Sequence, residues 1–372
     1  MGHPARRPRH QRRGWGAPVV SRLIAATVAA VALLGTGAGW ARGNPIAFRP
    51  SPIAAPAGAH PVGRIDTALT DPDRDRTIVV SVWYPALEVG SPAAYVPAAG
   101  SAAQARIAAV SASWMHATAA AVRMVGAKAA ATQGAPVAGD RLPVVVASPG
   151  MGTPRWILSG LATDLASRGY VVVVIDHTGE SPAVQFPDGR IILGTPPTTD
   201  TDYMRRQLHA RTADLRLMLD RLAVLPIVGA HLDLGRIAAL GHSYGGTTAV
   251  QLAAADSRVR AVVALDAPAG WDGVADAPTL DLPVLSLDLT GVWASSWNEF
   301  RGNRFEVVSM RNAGHYTATD LPAFGCGADL CGTVPSDRAA IVSRGVVGSW
   351  LDRWLRGMDS PKFTAPELKG RT

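Results

Sequence analysis

The residues of this chain best suited to chemistry are Gly241-His242-Ser243-Tyr244-Gly245, set between the apolar run RIAALGH and the helix-forming stretch TTAVQLAA. A serine hydroxyl becomes a useful nucleophile when it is held on a rigid turn, beside a base and in front of donors for the charge that develops on an attacked carbonyl. Gly-x-Ser-x-Gly supplies the turn, because a sharp strand-to-helix reversal leaves no room for side chains two residues before and two after the serine. Gly241 and Gly245 meet that demand, and Gly246 lets the helix close on the sheet. The helix that begins at once aims the amide N–H of Tyr244, and the positive end of its dipole, at the place where an oxyanion would form. Ser243 is the candidate nucleophile.

The nucleophile needs a base, and the base an acid to orient it. On this strand–turn–helix arrangement the acid and then the histidine follow the serine along the chain. His60, His116, His177, His209, His231 and His242 all precede Ser243, which leaves His315, in the loop RNAGHYTATD after the strand-like FEVVSM. Two acids qualify, Asp266 at the end of VVALD and Asp288 at the end of LSLD. A second oxyanion donor is expected from the loop after an earlier strand, and VVVASPGMG offers the N–H of Met151 between Gly150 and Gly152.

Those residues have to be brought together by something rigid. From Leu142 onward the chain alternates short, largely apolar runs (142–148, 170–176, 236–242, 259–267, 282–288 and 305–310) with helical segments near 157–168, 201–225, 245–255 and 337–356. Continuous Val/Ile/Leu runs imply strands buried on both faces, so the expected fold is α/β, a mostly parallel sheet covered by helices on both sides. Within 201–225, Met204, Leu208, Leu215, Leu219 and Leu222 fall on one helical stripe. Upstream, TIVVSVWY at 77–84 reads as the second arm of an antiparallel hairpin. The Ala-rich stretch 101–132 reads as a surface helical pair inserted in a single domain over 61–360, with 361–372 as a C-terminal tail.

Charge points elsewhere. The 372 residues carry 36 Lys+Arg against 29 Asp+Glu, a net +7. Six of those cations are the arginines of residues 1–41, which contain no acid and lead into the apolar LIAATVAAVALL and then GTGAGWA. A basic start, a short apolar run and a small-x-small end is the pattern of a secretory signal peptide, cut near Ala41 or kept as an N-terminal anchor. The remainder carries 30 basic against 29 acidic groups, which excludes the basic footprint of a nucleic-acid binder. Residues 42–60, rich in Pro and Ala, read as a flexible lead-in. In an exported protein Cys326 and Cys331, five apart in GCGADLCG, are expected to form a disulfide, a local staple of about 2 kcal/mol. No His/Cys spacing suits a metal, and no cofactor is implied.

Taken together, VSVWYPA, PVVVASPGMG, IDHTGES, GHSYGG, ALDAPAGW and NAGHYTATD resemble the secreted platelet-activating-factor acetylhydrolases and their bacterial lipase and esterase relatives, over about residues 61–357. The resemblance implies an α/β-hydrolase fold and a serine carboxylic-ester hydrolase with Ser243, His315 and, as the acid after the strand next to the elbow, Asp266. The relatives' oxyanion loop has a His-Gly pair where this chain has Pro149-Gly150. Trp156, Trp293 and Trp297, near the expected carboxyl edge of the sheet, offer apolar surface for an acyl chain, and His177 is expected to line the cleft. The expected partner is a small or lipid-like ester, neutral or zwitterionic, met in transient contact with a lipid surface. The competing readings are a non-catalytic envelope-tethered binding protein of the same fold and a dienelactone-type or peptidase hydrolase, the former separable by labelling of the serine.

Overall fold

All six apolar runs become neighbouring strands. The computed structural model describes residues 52–302 and 304–370, so the leader assigned to 1–41 and the lead-in before residue 52 lie outside the described residues. The strands are β1 (Val62–Asp71), β2 (Arg76–Pro85), β3 (Pro92–Ala94), β4 (Lys128–Gln133), β5 (Leu142–Ser148), β6 (Val171–Asp176), β7 (Ala183–Gln185), β8 (Ile191–Leu193), β9 (Leu232–His242), β10 (Val259–Leu265), β11 (Val284–Asp288), β12 (Phe305–Met310) and β13 (Leu368–Gly370). Eleven of them form one sheet in the order β13-β12-β11-β10-β9-β5-β6-β2-β1-β4-β3, while β7 and β8 pair separately. From β12 to β6 every pairing is parallel, and β2 joins β6 antiparallel as the second arm of the hairpin with β1.

The longer helices are α1 (Ser101–Trp114), α2 (Ser159–Ser167), α3 (Thr201–Arg221), α4 (Tyr244–Ala255) and α5 (Ser336–Trp354). Alternation along the strands divides the core in two. Val145, Val172, Val174, Leu240 and Val263 belong to the layer shared with α1, α2 and α5, whereas Val144, Val146, Val173, Ala239 and Val262 belong to the layer shared with α3 and α4. Burial on both faces is why these runs carry no polar alternation. Because the central strands are parallel, Ser148, Asp176, His242, Leu265, Asp288 and Met310 all end at one edge, where an open α/β sheet gathers its ligands.

Three segments depart from the expected outline. The Ala-rich stretch is helical over α1 and at Ala121–Met124, but its end is the strand β4, which runs parallel to β1 and antiparallel to β3. Nor is it a surface element: Ile107, Ala108, Ala112, Met115 and Met124 are taken into the core. Residues 57–60 of the lead-in are docked, with the N–H groups of Ala57 and Gly58 donating to Asp164 Oδ1 (2.8 Å) and Ser167 Oγ (2.9 Å). The C-terminal tail contributes β13, antiparallel to β12. Cys326 and Cys331 are bonded, their Cα atoms 6.0 Å apart. Among the described residues no helix is long and apolar enough to cross a membrane.

Candidate active site

The elbow follows from where β9 lies. Gly241 pairs with Ser148 of β5 on one side and Ala264 of β10 on the other, so the reversal at Ser243 occurs in the middle of the sheet. Ser243 has φ 54° and ψ −126°, in the left-handed half of the map that a side chain rarely occupies, and its N–H is fixed by Leu265 O at 2.8 Å. A Cβ on Gly241 would run into the carbonyl of Gly245, and one on Gly245 into the carbonyls of Ser148 and Pro149. Gly245→Ala is therefore expected to destabilise by about 1–3 kcal/mol, as overpacked sites do, and to displace the Ser148–Pro149 backbone. Thermal melting combined with fluorophosphonate labelling measures both; an unchanged melting temperature with full labelling would contradict the tight turn.

His315 reaches Asp266 and not Asp288. Its Nδ1–H donates to Asp266 Oδ2 at 2.6 Å, and the aspartate is fully buried. Asp266 Oδ1 accepts from the N–H groups of Leu289 (2.9 Å) and Thr290 (3.0 Å), and the Thr290 hydroxyl donates to Oδ2 at 3.0 Å. Burial works to raise the carboxyl's pKa, but the hydrogen bond and charge of His315 and the two backbone amides outweigh it and hold the group below its ordinary value. Asp266 is thus a carboxylate at neutral pH that accepts the His315 Nδ1–H and leaves Nε2 as the ring nitrogen not engaged by it. Asp288 is occupied otherwise, accepting from Gly291 N–H (2.9 Å) and the Ser309 hydroxyl (3.0 Å).

The elbow and the histidine loop meet through His242. Its Nε2–H donates to the carbonyl of His315 (2.7 Å) and the two rings lie 4.7 Å apart, and burial, followed by the neighbouring His315, pushes the His242 pKa down. Behind the loop, Tyr316 N–H donates to Leu330 O (3.0 Å) and the Thr317 hydroxyl to Cys331 O (2.9 Å), so the disulfide segment braces the loop that carries His315. Ser243 Oγ makes no hydrogen bond among the described residues and can turn toward a substrate carbonyl.

Opposite the serine lies the turn after β5. A Cβ on Gly150 would stand 3.4 Å from that of Ser243, Gly152 has φ 65°, and Thr153 closes the turn on the Gly150 carbonyl. The N–H of Met151 is used in no hydrogen bond among the described residues, and the N–H of Tyr244 opens α4, where no intrahelical acceptor exists. Among the described residues both N–H groups are thus without an acceptor, one in the turn facing the elbow and one on the elbow itself.

Other expected site residues lie elsewhere. His177 does not line a cleft: it is buried under the turn, with Nε2 2.9 Å from Ser148 Oγ and Nδ1 3.0 Å from Asp214 Oδ2, and burial followed by the nearby Arg211 lowers its pKa. Trp156 is in the core, edge-on to Tyr95 at 5.2 Å. Trp297 is also in the core, stacked on Phe305 at 4.9 Å with its Nε1–H donating to Ala267 O (2.9 Å). Being near the carboxyl edge did not distinguish a wall of the cleft from the packing beneath it. Trp293 does border a hollow of about 280 Å³, with Pro268, Trp271 and Ser296, rimmed by the carboxylates Asp272 and Glu299. Trp271 joins that hollow to the elbow, its ring 5.0 Å from Trp293 and 5.6 Å from Tyr244. The sequence reading missed Arg211, Glu180, Asp214 and Thr290. A signal existed for the first, since residue 211 falls on the apolar stripe of α3 between Leu208 and Leu215.

A serine elbow at the carboxyl edge of a mostly parallel sheet, with helices on both faces, defines an α/β-hydrolase. A model of the alpha/beta hydrolase fold matches residues 143–319, and one of platelet-activating factor acetylhydrolase, isoform II, matches residues 46–187. The platelet-activating factor acetylhydrolase of Cavia porcellus is 27% identical over 154 residues, covering 34% of this chain and 35% of that protein. A probable 1-alkyl-2-acetylglycerophosphocholine esterase of Arthroderma benhamiae is 30% identical over 133 residues, covering 36% of this chain and 33% of that protein. The chain thus spans about a third of the length of the curated relatives it matches. The solved ferulic acid esterase from Streptomyces cinnamoneus superposes with a TM-score of 0.73 at 32% identity, over 88% of this chain and 100% of that one. The chain belongs to the α/β-hydrolase family, and within it is similar to acetylhydrolases and esterases.

Proposed function

We propose that the protein is a serine carboxylic-ester hydrolase working through Ser243, His315 and Asp266 by way of an acyl-enzyme. The observation that carries the proposal is the Nδ1–H of His315 held at 2.6 Å by the buried Asp266 carboxylate, one residue's contact away from an elbow serine with positive φ. His315 Nε2 takes the Ser243 proton as Oγ attacks the ester carbonyl, and the Met151 and Tyr244 amides receive the oxyanion. Collapse expels the alcohol, protonated by His315. Water, deprotonated by the same nitrogen, then attacks the acyl-enzyme and releases the acid, regenerating Ser243.

The favoured substrates are short-chain or lipid-like esters, including an acetyl ester on a glycerophospholipid. The esterase and acetylhydrolase activities of the relatives support this range, and the Trp271–Trp293 hollow supplies apolar surface beside the elbow. The basic, apolar N-terminal segment supports export, with action in the cell envelope or outside it. Two measurements test the reading. A fluorophosphonate probe is expected to label the protein; no labelling would leave the non-catalytic binding protein as the better account. Nitrophenyl esters from acetyl to dodecanoyl are expected to show kcat/KM greatest for the shortest acyl groups, and a maximum at dodecanoyl would overturn the short-chain assignment.

A further inference from the structure

One buried guanidinium underlies both arms of the oxyanion site. Arg211, on α3, is 1% exposed. Its Nη2–H donates to the Gly150 carbonyl at 3.0 Å, and Nη1–H donates to the Pro149 carbonyl at 2.9 Å and to Ser148 Oγ at 3.1 Å. Glu180, equally buried, accepts from Nε–H at 2.7 Å and from Nη2–H. The guanidinium carbon also lies 5.1 Å from the ring centroid of Tyr244. Ser148, in turn, is fixed by His177 and through it by Asp214, which Arg76 grips with two bonds of 2.6 Å.

The Gly150 carbonyl and the Met151 N–H belong to one peptide unit. A trans peptide is planar, and its C=O and N–H point in opposite directions. Holding the carbonyl toward Arg211 therefore turns the N–H away from Arg211. The same oxygen accepts from the Thr153 hydroxyl (2.8 Å) and the Thr153 N–H (3.2 Å), so three donors fix the plane from one side. A charge-assisted bond to the oxygen also polarises the unit and strengthens its N–H as a donor. Gly150 and Gly152 flank this peptide without side chains, so the hydrogen bonds from Arg211 and Thr153 are what hold its orientation.

We infer that Arg211, held by Glu180, is a positioning residue for ester hydrolysis: it orients and polarises the Gly150–Met151 peptide so that the Met151 N–H faces the oxyanion. The inference rests on the proposed hydrolase reading. A merely structural role, satisfying buried carbonyls, would lower stability and leave the folded enzyme's transition-state binding untouched.

The test uses the full chain carrying Arg211→Lys, Arg211→Met or Thr153→Val. Each variant is measured for melting temperature, for kcat and KM on nitrophenyl acetate, and for affinity toward a trifluoromethyl ketone, which adds Ser243 Oγ to its carbonyl and places an oxyanion in the site. Removing a direct oxyanion donor costs about 10²–10³-fold, so the folded Arg211 variants are expected to lose roughly 10–100-fold in kcat with KM changed by less than about twofold. Ketone affinity is expected to fall by the same factor as kcat/KM, and Thr153→Val to lose about threefold or more in both. Wild-type kcat in a folded Arg211 variant, or a rate loss without a matching loss of ketone affinity, overturns the inference. Should neither Arg211 variant fold, Thr153→Val decides, because its hydroxyl grips the same carbonyl: unchanged kcat and ketone affinity overturn it. A wild-type protein that neither takes a fluorophosphonate nor hydrolyses the ester overturns the hydrolase reading first, and this inference with it.

Discussion

Ser243→Ala is expected to lower kcat for ester hydrolysis by about 10⁴–10⁶-fold and to abolish fluorophosphonate labelling, with the melting temperature nearly unchanged. The magnitude follows from what the change leaves in place. On the proposed mechanism the Met151 and Tyr244 amides would still bind a developing oxyanion and the His315–Asp266 pair would still deprotonate water, so a residue of catalysis above the uncatalysed rate is expected to survive. What is lost is the covalent route, and with it the alignment of the attacking atom that the elbow enforces. Stability is expected to hold because the hydroxyl makes no hydrogen bond among the described residues, and alanine at φ 54° meets the same backbone strain as serine. The measurement is single-turnover and steady-state hydrolysis of nitrophenyl acetate beside probe labelling. An alanine variant that retains more than about a hundredth of the rate would remove Ser243 from the chemistry, since no triad nucleophile is that dispensable.

The parts of the fold that the sequence declared were those where local pattern and tertiary demand agree. VVVVID up to its closing Asp176, and VRAVVAL apart from the exposed Arg260, are apolar because the residues alternate between two covered faces, and nothing else of that length and composition competes with a central strand. The elbow was legible for the same reason, its glycines being required by backbone contacts that no other residue tolerates. KAAATQ was not, because alanine favours helix locally and the strand it forms is decided by the edges of β1 and β3, which lie far off in sequence. Trp156 and Trp297 follow the ends of strands, as cleft residues do, but whether a side chain turns out over the edge or in beneath it depends on the loop's path. The buried polar network under the turn was invisible for a different reason. Arg211, Glu180 and Asp214 read singly as surface charges, and a charge is carried into a core only when its partner arrives from another element. The interruption of α3's apolar stripe at residue 211 was the one local trace of it.

The choice between the two strand-end acids has the second-largest consequence. Asp266→Asn is expected to lower kcat by about 10⁴-fold, the cost of holding the base in the wrong tautomer. The substitution is well placed to isolate that effect. Oδ1 carries the bonds from the Leu289 and Thr290 amides, so an asparagine that keeps its oxygen there retains the loop after β11. Its NH₂ then replaces Oδ2 opposite His315, where two donors cannot face each other, and the imidazole is driven to carry its proton on Nε2, the nitrogen that has to accept from Ser243. Rate and stability should therefore separate, with a large loss in kcat and a small change in melting temperature. Asp288→Asn tests the opposite case. Its carboxylate accepts one bond from the Gly291 amide and one from the Ser309 hydroxyl, and asparagine can accept the first while the hydroxyl rotates to accept from the second. That variant is expected to keep kcat within about threefold, since surface-near substitutions that preserve their hydrogen bonds cost little. A loss at 288 equal to or greater than that at 266 would mean that the His315 ring works from a position other than the one in which Asp266 holds it.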